Sequence, residues 1–169
     1  FANTGEPLFN RNIVDGLIKL AALDLSYKIS TIFPSGNKPF AIFKDVAEFA
    51  SSYARPIQIQ VSLISTNESY RRLQSGINLA SFAQIREAAE YWSELNPEGR
   101  KMNLSLILTE DNHCSVEDVY DLFSPELFNF RFRNYVETRN GKENNLTTIP
   151  SDRYLSIIDS FRNAGYQVS

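Results

Sequence analysis

Residues 27–65 read YKISTIFPSGNKPFAIFKDVAEFASSYARPIQIQVSLIS, and this stretch is the most direct indication of the fold class. It begins with a run rich in β-branched and aromatic residues (27–36), which is typical of a strand. Residues 39–54 change to helical periodicity, and residues 57–65 alternate apolar with polar side chains as a second strand would. A helix between two strands predicts a parallel pair joined by a crossover.

The same order continues along the rest of the chain. Further helices are predicted at 12–23, 81–95, 116–123 and 152–164, and further strands at 102–109, 127–136 and from 166 onward. Ser81, Ser115 and Ser151 are predicted to cap the helices that follow them, with Asp118 completing a capping box. The segments 66–79 and 137–150 are interpreted as polar loops. We therefore expect an α/β fold, a partial or complete (β/α) barrel of parallel strands with crossover helices, with a doubly wound sheet as the alternative.

Composition describes one globular domain over residues 1–169, with 43% hydrophobic and 22% charged residues. The net charge of -3 offers no basic surface for nucleic acid. A single cysteine excludes a disulfide framework within the chain. Neither a membrane-spanning apolar stretch nor a signal peptide is found, so we expect no membrane contact and a cytoplasmic location.

Polar side chains stand where the predicted strands end, which is where parallel α/β proteins place their functional groups. In chain order they are Gly5 and Glu6, Ser35, Ser62, the group of Glu110, Asp111, His113 and Cys114, and Asn134. The set contains no Ser-His-Asp arrangement and no carboxylate pair at a fixed spacing. It suits a pocket that holds a polar small molecule by hydrogen bonds.

Each of these residues also has a purely structural interpretation. Glu6 can be a solvated loop acid, Ser62 a buried hydroxyl bonded to backbone, and Asn134 a turn former. His113 and Cys114 can be half of a metal site, although adjacent residues rarely bind one ion, and the structural alternative is a loop before a helix cap.

Four segments, taken in order, carry a resemblance to a known family. GEPLFN (5–10) resembles the Gly-Glu-Pro-Leu-Leu-Asn segment of the radical S-adenosylmethionine (SAM) enzymes that methylate adenine C2 in 23S ribosomal RNA. VSLISTNESYRRL (61–73) is similar to the Ser-Leu-His-Ala-x-Asn-Asp-Glu-x-Arg segment of that family, and FNFRFRN (128–134) to its Ile-Asn-Leu-Ile-Pro-x-Asn. RYLSIIDSFRNAGYQVS (153–169) resembles its final helix and strand. The likeness is loose but collinear over essentially the whole chain.

The resemblance implies a partial β/α barrel and a set of cofactor contacts. Gly5 and Glu6 would hold the amino end of the methionine part of SAM, Ser62 and Leu63 would form part of the adenosine wall, and Asn134 would contact the same cofactor. Ser35 would belong to the pocket as the remnant of a Ser-Thr-Ser-Gly run.

The chain departs from the family at three of these places. Phe33 stands where the ligand-contacting serine of that run would fall. Ile64 replaces a histidine of the family, and Tyr135 replaces a proline. These changes leave the scaffold in place and put the RNA methyltransferase subgroup in question.

The family also binds a [4Fe-4S] cluster through a CxxxCxxC loop that precedes its Gly-Glu-Pro segment, whereas the one cysteine here, Cys114, lies far downstream. Its methyl-carrying cysteine would fall shortly after Ser169. We therefore expect a fragment of a larger protein, an incomplete radical SAM-like barrel that keeps part of the SAM pocket and is inactive alone, with any RNA contacts outside it.

Two alternatives stay open at this point. One is a β/α-barrel binding or scaffold module without catalysis. The other is an unrelated barrel enzyme that works through Glu110, Asp111 and His113, which would require those side chains in one concave pocket.

Overall fold

The computed structural model describes residues 5–169. Its sheet contains the strands β1 Tyr27–Thr31, β2 Ile57–Ser62, β3 Met102–Leu108 and β4 Phe128–Asn134. The helices are α1 Ile13–Leu20, α2 Asn37–Ser52, α3 Glu68–Ser75, α4 Phe82–Leu95, α5 Arg139–Glu143 and α6 Ser151–Asn163, with short 3-10 helices at Pro7–Phe9 and Ala21–Leu23. Within these residues, no helix has both the length and the apolarity needed to cross a bilayer.

The strand order confirms the predicted fold class. All neighbouring strands are parallel, and their order in the sheet, β1-β2-β3-β4, is their order in the chain. Each crossover thus adds its strand to the same edge, as in a β/α barrel, whereas a doubly wound sheet reverses direction at a switch point. Residues 166–169 return beside β4, where the Phe130 N–H donates to the Gln167 carbonyl at 3.0 Å, so the predicted last strand begins there.

The two faces of the sheet differ because side chains alternate along each strand. One face carries buried apolar residues, which form a single core with the inner faces of the helices. The Phe130 and Phe161 rings, from β4 and α6, have centroids 4.5 Å apart in this core. The other face, here called the open face, consists of Lys28, Ser30, Gln58, Gln60, Ser62, Asn103, Ser105, Ile107, Asn129, Arg131 and Arg133. A polar face is unusual for a parallel sheet, which is normally apolar on both sides, and it marks where ligands would be held.

The predicted helix at 116–123 is wrong: the structure has a series of turns there. The Ser115 hydroxyl bonds the Glu117 carboxylate instead of capping a helix. Asp118 accepts from the Thr66 hydroxyl at 3.0 Å and contacts His113. The capping box does not form because its acid has tertiary partners.

Ser81 is confirmed as a helix cap, and the other expectations about helix starts are corrected. The Ser81 hydroxyl accepts from the Gln84 N–H at 3.1 Å while the Gln84 side chain accepts from the Ser81 N–H at 2.9 Å, which completes a capping box. Ser151 is the first residue of α6, so it does not cap that helix, and the residue at the cap position, Pro150, makes no side-chain cap hydrogen bond.

The predicted loop at 66–79 contains the helix α3, and 137–150 contains α5. The Asn67 side chain caps α3 by accepting from the Tyr70 N–H at 2.9 Å, and Gly76 ends it with a φ of 67°. Both signals are visible in the sequence, but the segment is too polar for its helical period to stand out.

Candidate functional site

Glu6 is held firmly at the end of β1 and is not a solvated loop acid. Gly5 precedes it with a φ of 102°, a conformation that favours glycine, and Pro7 opens the short helix that follows. The Glu6 carboxylate accepts from the Leu8 N–H at 3.0 Å, from the Ile32 N–H at 3.0 Å and from the Thr31 hydroxyl. An ionised carboxylate has about four acceptor positions, so one is left for a further donor.

A buried arginine holds the same residue, Ile32, through its carbonyl. The Arg71 side chain is fully buried, and its guanidinium donates to the Ile32 carbonyl at 2.8 Å and to the Ala80 carbonyl at 2.6 Å. Burial lowers its pKa to about 10. Ile32 is therefore fixed at its N–H by Glu6 and at its carbonyl by Arg71, a role that sequence reasoning missed.

Two bulky residues adopt left-handed backbone conformations just beyond the strands. Phe33 has a φ of 58° and Ile64 a φ of 70°, each two residues after the end of β1 or β2. Bulky residues rarely adopt the left-handed backbone conformation, because it costs them free energy. Where they do adopt it, the position is often part of a functional site. Phe33 is buried against Phe43, so the aromatic ring at the family's serine position belongs to the core.

A cleft of about 430 Å³ lies on the open face across β2, β3 and β4. Its floor presents polar side chains, which include Gln60, Ser62, Ser105 and Asn112. The rest of its lining is largely apolar, except for the charged side chain of Arg133. The apolar and aromatic lining residues are Ile64, Tyr70, Ile107, Tyr135 and Leu146. Its volume and its mixed lining are those of a small-molecule site.

Two buried amide oxygens in this cleft lack hydrogen-bond partners among the described residues. Gln60 and Asn112 are each only 7% exposed, and their side-chain oxygens make no hydrogen bond. The Asn112 amide nitrogen donates to the carbonyls of Ile64 at 2.8 Å and Ile107 at 3.2 Å, which fixes the direction of its oxygen. A buried acceptor without a partner costs about 1–3 kcal/mol, so the cleft favours a ligand that brings N–H or O–H donors.

The structure brings only part of the predicted site together. Ser62 lines the cleft, but the Leu63 side chain is buried in the core and only its backbone can face a ligand. Ser35 lies near α2, in a separate depression with Gly36 and Lys44.

Asn134 lies on the same face of β4 as Phe128, Phe130 and Phe132, which is the face that packs against the helices, and its side chain is exposed there. Its neighbours Arg133 and Tyr135 line the cleft instead. Sequence reasoning missed Gln60, Asn112 and Arg133. The visible signal for Gln60 was its polar position in the alternating strand predicted at 57–65.

The acid and histidine group after β3 lies outside the cleft. Glu110 accepts from the Thr147 hydroxyl at 2.9 Å, and the His113 ring nitrogen lies 2.7 Å from the Asp118 carboxylate. Burial raises the pKa of the Cys114 thiol to about 12, which disfavours the thiolate that binds metals. Across residues 5–169, no group of three or more His, Cys, Asp or Glu side chains could hold a metal ion.

Comparison with known proteins adds a likeness to a solved structure. No protein-family model and no curated protein sequence matches the chain. The fold is similar to the crystal structure of a radical SAM methyltransferase from Sphaerobacter thermophilus, with a TM-score of 0.72 and 12% identity over 98% of this chain and 48% of that one. The chain thus spans about half of the length of that structure. At this identity the likeness concerns the fold alone, and the chain shares the partial β/α-barrel fold of a radical SAM methyltransferase.

Proposed function

We propose that this chain forms part of the SAM pocket of a radical SAM enzyme. The observation that carries the proposal is the cleft on the open face, which is lined by Gln60 and Asn112, two residues whose buried side-chain oxygens have no hydrogen-bond partner among residues 5–169. The fold likeness to a radical SAM methyltransferase supports the choice of cofactor.

The residues of the cleft suit the chemistry of SAM. Its ammonium, adenine amino and ribose hydroxyl groups are donors of the kind that the Gln60 and Asn112 oxygens lack. Tyr70 and Tyr135 offer aromatic faces for the adenine ring. Glu6 lies at the end of β1 and does not line the cleft, and its proposed contact with the ammonium group, through the fourth acceptor position of its carboxylate, rests on the family resemblance.

In the same proposal Gly5 allows the turn that presents Glu6, and Ser62 with the Leu63 backbone forms the ribose wall. Ser35 and Asn134 are proposed contacts that rest on the family resemblance. Neither of them lines the cleft.

The residues present do not fit an iron–sulfur cluster. Such clusters are held by several cysteine thiolates, and the sequence has one cysteine, Cys114. Burial raises the pKa of its thiol to about 12. We therefore expect this chain alone to bind SAM without cleaving it. Formation of 5′-deoxyadenosine by the iron-reconstituted chain would contradict that.

The finer assignment, to an RNA methyltransferase, rests on the resemblance of the four segments. An electrophoretic mobility shift of a ribosomal RNA fragment, with SAM present, measures whether this chain binds RNA. If RNA is not retarded at micromolar protein, the chain lacks RNA contacts of its own, as its acidic net charge of -3 suggests.

Calorimetric titration with SAM tests the pocket itself. We expect Glu6→Gln and Gln60→Met each to weaken SAM binding about tenfold, because each removes an acceptor for a charged or buried donor. Methionine keeps the approximate shape of glutamine without its oxygen. Asn134→Ala reports whether the contact taken from the resemblance exists.

Glu143→Gln on α5 is the matched control, since that glutamate is exposed and pairs with Arg139. Circular dichroism establishes that each variant folds. Unchanged SAM affinity in both Glu6→Gln and Gln60→Met would overturn the proposed pocket, as would the absence of SAM binding at millimolar concentration.

A further inference from the structure

The charges of the sheet are all of one sign and all on one face. The four strands contain no aspartate or glutamate, and their charged residues are Lys28, Arg131 and Arg133, which all belong to the open face. A chain with a net charge of -3 therefore concentrates positive charge where its sheet is polar.

The strand register places the two arginines beyond a row of amides, toward the carboxyl end of the sheet. Gln60, Asn103 and Asn129 are direct neighbours across β2, β3 and β4. Arg131 lies one row nearer the carboxyl end of the sheet, beside Ser105, and Arg133 lies a further row on, beside Ile107. Because Arg131 and Arg133 are two residues apart on one strand, their side chains emerge on the same face about 7 Å apart.

Neither arginine has a protein partner in the part of the chain that the structure describes. Arg55, Arg72, Arg139 and other arginines pair with carboxylates, but the side chains of Arg131 and Arg133 make no ion pair and no hydrogen bond among residues 5–169. The pKa of Lys28 is lowered first by burial and then by repulsion from the positive charges of Arg131 and Arg133. An anion placed between them would relieve this repulsion.

We infer that the open face binds an oxyanion, a carboxylate or a phosphate, between the guanidinium groups of Arg131 and Arg133. Guanidinium groups match both oxyanions by paired hydrogen bonds, and two of them in adjacent rows can hold one group from two sides. If the oxyanion is the carboxylate of SAM, the inference rests on the proposed function. If it is the phosphate of another ligand, the inference stands without it.

Three probes distinguish these sources in calorimetric titrations in a phosphate-free buffer. Inorganic pyrophosphate tests for a phosphate site, SAM carries the carboxylate, and 5′-methylthioadenosine keeps the adenosyl group of SAM without its carboxylate. The variants are Arg131→Gln and Arg133→Gln. Arg139→Gln is the control, because that arginine is exposed on α5 and pairs with Glu143.

We expect at least one oxyanion probe to bind about tenfold more weakly to Arg131→Gln or Arg133→Gln, with no change in Arg139→Gln. A loss confined to pyrophosphate assigns a phosphate-bearing ligand. A loss for SAM without a loss for 5′-methylthioadenosine assigns the carboxylate. Arg131→Lys and Arg133→Lys, which keep the charge, should retain part of the affinity if the folded structure is intact.

The opposite results separate the inference from the proposed function. If SAM and 5′-methylthioadenosine bind and neither arginine matters for any probe, the inference is overturned while the proposed function stands. If pyrophosphate binding depends on the arginines and neither adenosyl compound binds, the inference stands and the proposed function is overturned. Failure of all three probes to bind at millimolar concentration overturns both.

Discussion

Replacing Arg71 by methionine tests how the end of β1 is held. The guanidinium of this fully buried residue donates to the Ile32 and Ala80 carbonyls and lies 5.9 Å from the centroid of the Phe82 ring. The substitution keeps an apolar side chain in the space and leaves two buried carbonyls without donors. It also removes the contact of the cation with the ring.

The change in the free energy of unfolding caused by Arg71→Met is the balance of two losses and one gain. Each orphaned carbonyl costs about 1–3 kcal/mol, and the lost cation–π contact adds about 1 kcal/mol. Against this, the pKa of Arg71 is lowered to about 10 by burial, so removing the charge recovers up to about 3 kcal/mol. We expect Arg71→Met to lower the free energy of unfolding by about 2 kcal/mol.

Urea unfolding followed by tryptophan fluorescence measures this, since Trp92 is the only tryptophan of the chain and is buried. Arg72→Met is the matched control on the next position of α3, where an exposed pair with Glu68 contributes about 0.5 kcal/mol or less. Equal midpoints for the two variants would refute the reasoning, because they would mean that the carbonyls of Ile32 and Ala80 do not depend on Arg71.

Three further predictions follow from single features. Ser81→Ala removes the capping box of α4 and should lower the free energy of unfolding by about 1 kcal/mol in the urea assay. Gly5→Ala should cost about 1–2 kcal/mol through the backbone alone, since the added Cβ meets nothing within 4 Å while the φ of 102° disfavours alanine. The unfolded Cys114 thiol loses its proton near pH 9 and the folded one near pH 12, so the native protein should lose up to about 4 kcal/mol of stability between those values, and Cys114→Ala should lack this loss.

Each of these has a contrary result that is easy to recognise. Ser81→Thr keeps a hydroxyl cap and should be nearly neutral, so an equal loss in Ser81→Thr and Ser81→Ala would show that the cap is not the cause. A neutral Gly5→Ala would mean that the turn does not require its left-handed backbone. Parallel pH profiles for the native protein and Cys114→Ala would show that the thiol is not kept protonated by burial.

The sequence alone determined the fold class and several local features. Alternating strand and helix periods over 27–65 were sufficient for a parallel α/β class, because hydrophobic period is set by local geometry. The cap at Ser81 and the turn at Gly5 were also predictable, since each depends on the chemistry of a few neighbouring residues. The alternation FNFRFRN already placed Asn134 on the Phe side of β4, although the family resemblance suggested a cofactor contact for it.

Only the tertiary structure decided the details that depend on distant partners. The helix predicted at 116–123 is replaced by turns, and Asp118 is engaged by Thr66 and His113, groups that no local pattern reveals. The strand order decided between the barrel and the doubly wound alternative, because both share one sequence pattern. The orphaned oxygens of Gln60 and Asn112 likewise became visible only when β2 and the loop after β3 came together, since whether a buried polar group has a partner is a property of the packed chain.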